Sequence, residues 1–258
     1  MSTLLVTGAA GKVGSLLRPL LARPGRTLRL LDLAELTPGD GEEAIRGDLT
    51  DPAVMRTALA GADAVVHLGG LSRERDWAST VAINMTGTQI LLETARDLGV
   101  KQVVLAGSHH AAGFLPRPEE GELPDGLPPR PDTFYGVSKV VMEALGSLYH
   151  DRFGLNVVVI RIGSCAPRPP DVRGLGTWLS PGDCARLVEA ALTATGFHVV
   201  WGVSDNTRRW WSLEAARAIG YEPLDDAEDY ATEPPEATTD VSELVGGPFT
   251  TRELGGAW

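Results

Sequence analysis

Cysteine is nearly absent. The two present in 258 residues, Cys165 and Cys184, are too few for a disulfide framework, and their spacing fits no zinc-ligand pattern. Free thiols in a reducing compartment follow. Lysine is scarce as well, with three (Lys12, Lys101, Lys139) beside 20 arginines, and two of the three fall inside motifs. Basic charge as a whole is in deficit: 23 Lys and Arg against 34 Asp and Glu give a formal net charge of -11. Such a surface repels phosphate backbones and anionic lipid, which argues against nucleic acid and membranes as partners. No apolar run approaches membrane-spanning length. The N-terminus enters an apolar strand-like run at once, without a charged leader or a cleavage site, so the chain reads as cytoplasmic.

What is present is a regular alternation. Ser2 to Thr7 is a short buried-strand run that breaks at Gly8-Ala9-Ala10-Gly11 before a helical pattern of Val13, Leu16, Leu17, Leu20 and Leu21. Strands are expected over Thr27 to Leu31, Glu43 to Arg46, Ala64 to Leu68, Val100 to Ala106 and Asn156 to Ile160. Helices are expected from Asp51-Pro52, over Trp77 to Leu98 and over Tyr135 to Tyr149. Strands spaced by helices in this way imply α/β architecture, a Rossmann-type doubly wound parallel sheet. Gly113 to Pro131 holds six prolines and reads as a functional loop, because the alternation resumes directly after it. Beyond Ile162 a capping-box start at Ser180 opens a helix through Leu192, a strand over His198 to Val203 follows, and the acidic last 30 or so residues read as a loosely ordered arm. Residues 1–165 are thus expected to form a dinucleotide-binding domain, and 166–258 a small substrate-binding region with a C-terminal arm.

Gly8, Gly11 and Gly14 stand where side chains would obstruct the sharp turn, the approach of backbone to a pyrophosphate and the packing of helix on strand. A diphosphate then sits on the helix N-terminus, where unpaired amides and the dipole favour negative charge. Glycine triplets alone are weak signals. This one follows the first strand and opens the first helix, and Asp32 stands 18 residues after Gly14 at the end of the next strand, placed to accept both ribose hydroxyls of an adenosine. The carboxylate would repel a 2′-phosphate, and no arginine stands at Leu31 or Leu33 beside it, so NAD is expected rather than NADP. Asp48 and Leu49 follow the third strand and are candidates for the adenine edge; for Asp48 a helix-initiating role near Asp51-Pro52 stays open.

Tyr135 and Lys139 lie four apart on one helical face. An unperturbed tyrosine titrates near pH ~10, and a neighbouring cation stabilises the phenolate and lowers that value. The pair is a general acid/base device once a dinucleotide site lies upstream. Ser108 closes the fifth strand, 27 residues before Tyr135, at the carboxyl edge where open parallel sheets bind ligands.

The segment TGAAGKVG with Asp32, Asn84, Ser108 and YGVSK resembles the extended short-chain dehydrogenase/reductase superfamily. Through VVHLGGLS, RIGSC, Arg173 with GTW, and VVWGVSDN before a tryptophan pair, the chain is similar to its NAD-dependent uronate dehydrogenases. The resemblance implies oxidation of an aldohexuronic acid at C1 to an aldarolactone. Tyr135 would be the base, Lys139 would bind the nicotinamide ribose, Ser108 would orient the C1 oxygen and Asn84 would support a water-linked proton path. Ser72, His110 and Ser164 would touch sugar hydroxyls, and Arg173 would clamp the carboxylate by a two-point fork. Lys12, Val13, Leu68, Gly69, Gly70 and Ile162 complete the expected cofactor contacts. One departure is visible: the family usually has Asn after this serine, whereas His109 precedes His110 here, a bulkier group able to titrate near neutrality. A metal site on the two histidines is not expected, since adjacent strand-end residues point apart and no third ligand is evident. His67 reads as a packed strand residue and Cys184 as helix core, while Trp178, Trp201, Trp210 and Trp211 suit either a pocket wall or core packing. Two other readings share part of the pattern, a nucleotide-sugar epimerase or dehydratase of the same superfamily and a non-catalytic dinucleotide sensor. Helix faces for self-association leave a homo-oligomer open.

Overall fold

A computed structural model describes residues 2–231 and 243–258 of the chain. Its chain order is β1 (Ser2–Thr7), α1 (Lys12–Leu21), β2 (Arg26–Asp32), β3 (Glu42–Arg46), α2 (Pro52–Leu59), β4 (Ala64–His67), α3 (Trp77–Thr80), α4 (Gly87–Leu98) and β5 (Gln102–Ser108). Then come α5 (Phe134–Phe153), β6 (Asn156–Ile162), β7 (Ser164–Cys165), α6 (Gly174–Thr177), β8 (Trp178–Leu179), α7 (Pro181–Ala191), β9 (Phe197–Gly202) and α8 (Glu214–Ala218). Seven strands form one parallel sheet in the order β3-β2-β1-β4-β5-β6-β9, and β7 and β8 pair separately.

Side-chain alternation along the central strands feeds two cores. Leu4 and Val6 of β1 pack with Leu17 and Leu21 of α1 and Leu187 and Val188 of α7. Leu5 points the other way, among Met55 and Leu59 of α2, Leu91 and Leu92 of α4 and Met142 of α5. The doubly wound sheet expected from the alternation is therefore present, with its strand order reversing between β1 and β4. That reversal opens a crevice at the carboxyl ends of the two strands.

The division at residue 165 does not coincide with a break in the sheet, because β9 and α7 lie beyond it and complete the sheet and its second helical layer. The arm reading fails for residues 243–258: Val245 is buried, and its N–H and that of Gly246 donate to Leu115 and Gly113 of the proline-rich loop. The rest of the expected arm, 232–242, lies outside the described residues. The helix expected over Trp77 to Leu98 is interrupted by a wide π-helical turn, Val81–Thr86, of the kind that re-aims side chains near functional sites. All four tryptophans in question are core residues, and none lines the crevice.

Candidate active site

A cavity of about 910 Å³ follows the carboxyl edge of the sheet, large enough for a cofactor and a small substrate. Its first half is the turn after β1. Gly8 has φ +69, and a Cβ there would stand 2.6 Å from the Gly69 nitrogen; one on Gly14 would stand 2.4 Å from the Gly8 carbonyl oxygen. The turn after β1 thus meets the Gly69 turn because Gly8 is bare, and α1 packs on it because Gly14 is. Helix α1 begins after Gly11 with no side-chain cap, so its first amides have no partner in the helix and face the cavity. Asp32 stands at the end of β2, its two carboxylate oxygens each accepting one backbone N–H, from Ala10 (2.9 Å) and Ala34 (3.0 Å). Each oxygen keeps a lone pair for a ribose hydroxyl. The uncapped helix start and the bare turn fit a dinucleotide pyrophosphate. Lys12, Val13, Leu49, Leu68, Gly69, Gly70 and Ile162 line the cavity. Asp48 does not: its Oδ1 accepts from the Thr50 amide and hydroxyl, both at 2.8 Å, in a local turn.

The reacting groups occupy the second half. Helix α5 presents Tyr135 and Lys139 to the cavity, with the Lys139 ammonium 5.4 Å from the Tyr135 ring centre. The helix start is capped twice. Thr133 Oγ1 accepts the Gly136 N–H at 2.9 Å, and the buried Glu74 carboxylate accepts the N–H groups of Phe134 (3.2 Å) and Tyr135 (2.8 Å). Ser108 Oγ accepts the His110 N–H at 3.2 Å and lies beside the Tyr135 phenol, whose ionised form it favours.

One electrostatic expectation is corrected. Burial pushes the Tyr135 phenol up to about 12, against the Ser108 hydrogen bond and with help from Asp132. Lys139 does not prime it in this state. Burial lowers the Lys139 ammonium itself to about 8, and its Nζ donates to the Ala106 carbonyl at 2.8 Å.

At the substrate end the two histidines do not point apart. Both lie in a 3-10 turn (His109–Ala112) with ring centres 4.1 Å apart. His109 Nδ1 lies 3.0 Å from the Ile162 carbonyl oxygen. Burial first, then the His110 ring beside it, holds His109 well below the usual imidazole range. It is therefore neutral, with its hydrogen on Nδ1 and a bare acceptor at Nε2. The near-neutral titration expected of it is removed. His110 Nδ1 lies 2.7 Å from the buried Asp132 carboxylate, and Phe249 stacks on its ring at 3.9 Å.

Ser72, Ser108, His109, His110 and Ser164 all line the cavity, while Asn84 and Arg173 lie behind its wall. Both hydrogens of the Asn84 amide are committed, to the Leu71 carbonyl (3.1 Å) and Ser138 Oγ (2.9 Å), which leaves that nitrogen no donor for a water path. Arg173 donates to the Leu244 carbonyl at 3.0 Å and to that of Val245, and lies 4.4 Å over Trp210.

Sequence reasoning missed Glu74, Asp132 and Phe249. Asp132 had a signal, since an acidic residue before a helix start reads as a cap. Glu74 and Phe249 had none, because each meets the site only through contacts remote in the chain. Among the described residues no helix is long and apolar enough to cross a membrane, and no cluster of three or more His, Cys, Asp or Glu is placed to hold a metal ion.

Residues 4–210 match the NAD dependent epimerase/dehydratase family. The chain is 39% identical to a uronate dehydrogenase of Pseudomonas putida, over 95% of this chain and 97% of that one. It is 40% identical to one from Agrobacterium fabrum, over 96% and 97%. The crystal structure of a uronate dehydrogenase variant from Agrobacterium tumefaciens complexed with NAD superimposes with a TM-score of 0.92, at 38% identity and 98% coverage of both chains. A seven-stranded doubly wound sheet, a glycine turn against an uncapped helix and a Ser/Tyr/Lys cluster at its edge agree with that likeness, and the chain belongs to the uronate dehydrogenases within the NAD dependent epimerase/dehydratase family.

Proposed function

We propose that this chain oxidises an aldohexuronic acid, glucuronate or galacturonate, at C1 of its cyclic form to the aldarolactone, with Tyr135 as general base and NAD as oxidant. The observation that carries the reading is the meeting, in one cavity, of Ser108, Tyr135 and Lys139 with the uncapped start of α1 and Asp32. Bound NAD supplies the hydride acceptor. The residues supply position and proton handling: the sugar hydroxyl gives its proton to Tyr135, Ser108 donates toward the same oxygen, and the charged Lys139 holds the nicotinamide ribose. His109 Nε2, a bare acceptor, receives a sugar hydroxyl, and His110 is held for the same task by Asp132. Asn84 acts through Leu71 and Ser138. Arg173 contributes its charge behind the His109 wall, toward the substrate carboxylate. Two buried unpaired thiols suit the cytoplasm.

A panel of aldoses, uronic acids and their phosphates with NAD and NADP, followed by absorbance of the reduced cofactor, tests the reading. Uronates with NAD should be the fastest pair; no reduction with any uronate ends it. In the same panel Arg173→Ala should raise KM for uronate severalfold, the effect of removing a charge that acts across the cavity wall without direct contact, and leave that for a neutral aldose nearly unchanged. Equal effects on both would remove its carboxylate role.

The pH profile carries a sign of its own. kcat/KM reports the free enzyme, where the base must be deprotonated and Lys139 charged. Tyr135 titrates at about 12 and Lys139 at about 8, so the ammonium is intact below that value and lost as pH rises through it. The profile should climb with pH through neutrality and level off near 8, each further gain in phenolate being cancelled by loss of the cation. A profile flat between pH ~6 and ~8 would contradict this pairing.

A further inference from the structure

His67, buried at the end of β4, takes no part in the chemistry above, yet both its ring nitrogens are engaged. Nδ1 lies 2.7 Å from Thr7 Oγ1 and Nε2 lies 3.3 Å from Thr88 Oγ1. Counting hydrogens fixes the direction of each bond. The single hydroxyl hydrogen of Thr88 is spent on the Asn84 carbonyl oxygen at 2.6 Å, which only accepts. Thr88 Oγ1 must therefore accept from His67 Nε2–H. At the other end the Gly69 N–H donates to Thr7 Oγ1 at 3.1 Å, which leaves the hydroxyl hydrogen of Thr7 for His67 Nδ1. Burial, with the Lys139 charge acting in the same sense, lowers this imidazole to about 3, consistent with a ring that carries one hydrogen.

We propose that His67 is a positioning residue, a neutral imidazole protonated at Nε2 that carries a one-way hydrogen-bond chain from Gly69 through Thr7 and Thr88 to Asn84, tying the cofactor turn to the catalytic helix. The chain runs beside the direct bonds between Leu71 of that turn and the Asn84 side chain and closes the same link from the sheet side. At its head, Gly69 backs onto Gly8 in the turn against the glycine loop. At its foot, the Asn84 side chain accepts the Leu71 N–H at 2.7 Å and donates to Ser138 Oγ, whose hydroxyl donates to the Tyr135 carbonyl at 2.6 Å. Every donor on this path has one acceptor, so reversing or removing one link orphans a buried polar group on each side. The inference rests on the reading of the Gly69 turn as cofactor wall, and its test separates the two.

Two-bond 1H–15N correlation spectra of the full chain labelled at histidine, with His67 assigned by difference from His67→Gln, read the tautomer without any cofactor. The expected signal is neutral Nε2–H, constant from about pH 5 to about pH 8, where an ordinary imidazole changes charge. A hydrogen on Nδ1, or a doubly protonated ring, overturns the proposal. Calorimetric titration with NAD gives the second readout. His67→Leu, which fills the space but neither donates nor accepts, should weaken NAD binding about tenfold and lower kcat, and His67→Gln, whose amide can both accept from Thr7 and donate to Thr88, should recover most of both. If His67 merely fills space, leucine is tolerated as well as or better than glutamine, and that result refutes the chain. Should the leucine variant not fold, the glutamine variant and the spectra decide: NAD binding within about threefold of the parent supports the chain, and weaker binding counts against it. Failure of the parent protein to bind NAD would instead remove the cofactor reading and leave the tautomer result standing.

Discussion

Replacing Tyr135 by phenylalanine should lower kcat for uronate oxidation by about a thousandfold, the usual worth of a positioned general base, while NAD binding changes little. The substitution removes one oxygen. The ring contacts stay available, with His110 at 5.8 Å between ring centres and the Lys139 ammonium at 5.4 Å, so fold and cavity shape are kept. What disappears is the phenol oxygen beside Ser108, the acceptor of the sugar proton in the proposed reaction. The groups beside it are poor replacements: Lys139 is bound to the Ala106 carbonyl, His110 is tied through Nδ1 to Asp132, and burial makes His109 a weak base. Measured as NADH formation beside a calorimetric NAD titration, an active phenylalanine variant would end the role of this phenol.

Glu74→Leu should cost stability more than any other single change at the site. Its carboxylate, fully buried, accepts three backbone N–H groups, from Phe134, Tyr135 and Gly255, the last at 2.8 Å. Leucine fills similar volume but leaves three buried donors unpaired, each costing about 1–3 kcal/mol, so a loss of roughly 3–9 kcal/mol and a clearly lower Tm are expected. Activity at low temperature should fall as well, because the same carboxylate fixes the first turn of α5 and anchors the C-terminal segment whose Phe249 stacks on His110. Glu74→Gln keeps one acceptor and sets an amide N–H against the others, so it should lie between the two. Thermal melts of the three proteins check the order; a leucine variant as stable as the parent would show that the N–H groups find other partners.

The difference between these two residues shows what was legible in the sequence. Tyr135 and Lys139 belong to one helix, and a spacing of four puts them on one face whatever surrounds them. Gly8, Gly11, Gly14 and Asp32 are likewise tied to neighbouring strand ends, so their meeting follows from the parallel strand order alone. Glu74 sits in a loop without periodicity, and its partners Tyr135 and Gly255 are 61 and 181 residues away. No local pattern encodes such a contact. The histidines failed for a related reason. Reading them as strand residues made their side chains alternate, whereas the chain leaves the strand at Ser108 and enters a 3-10 turn that brings the rings together.

Local covalent geometry, expressed through hydrophobic period, glycine position and helical spacing, determined the sheet, the nucleotide turn and the tyrosine-lysine pair. Tertiary packing decided protonation. The lift of Tyr135, the fall of Lys139 and the neutrality of His109 and His67 all come from removing water around them. Burial depends on every element that closes over a side chain, including the C-terminal segment, and no sequence neighbour reports it.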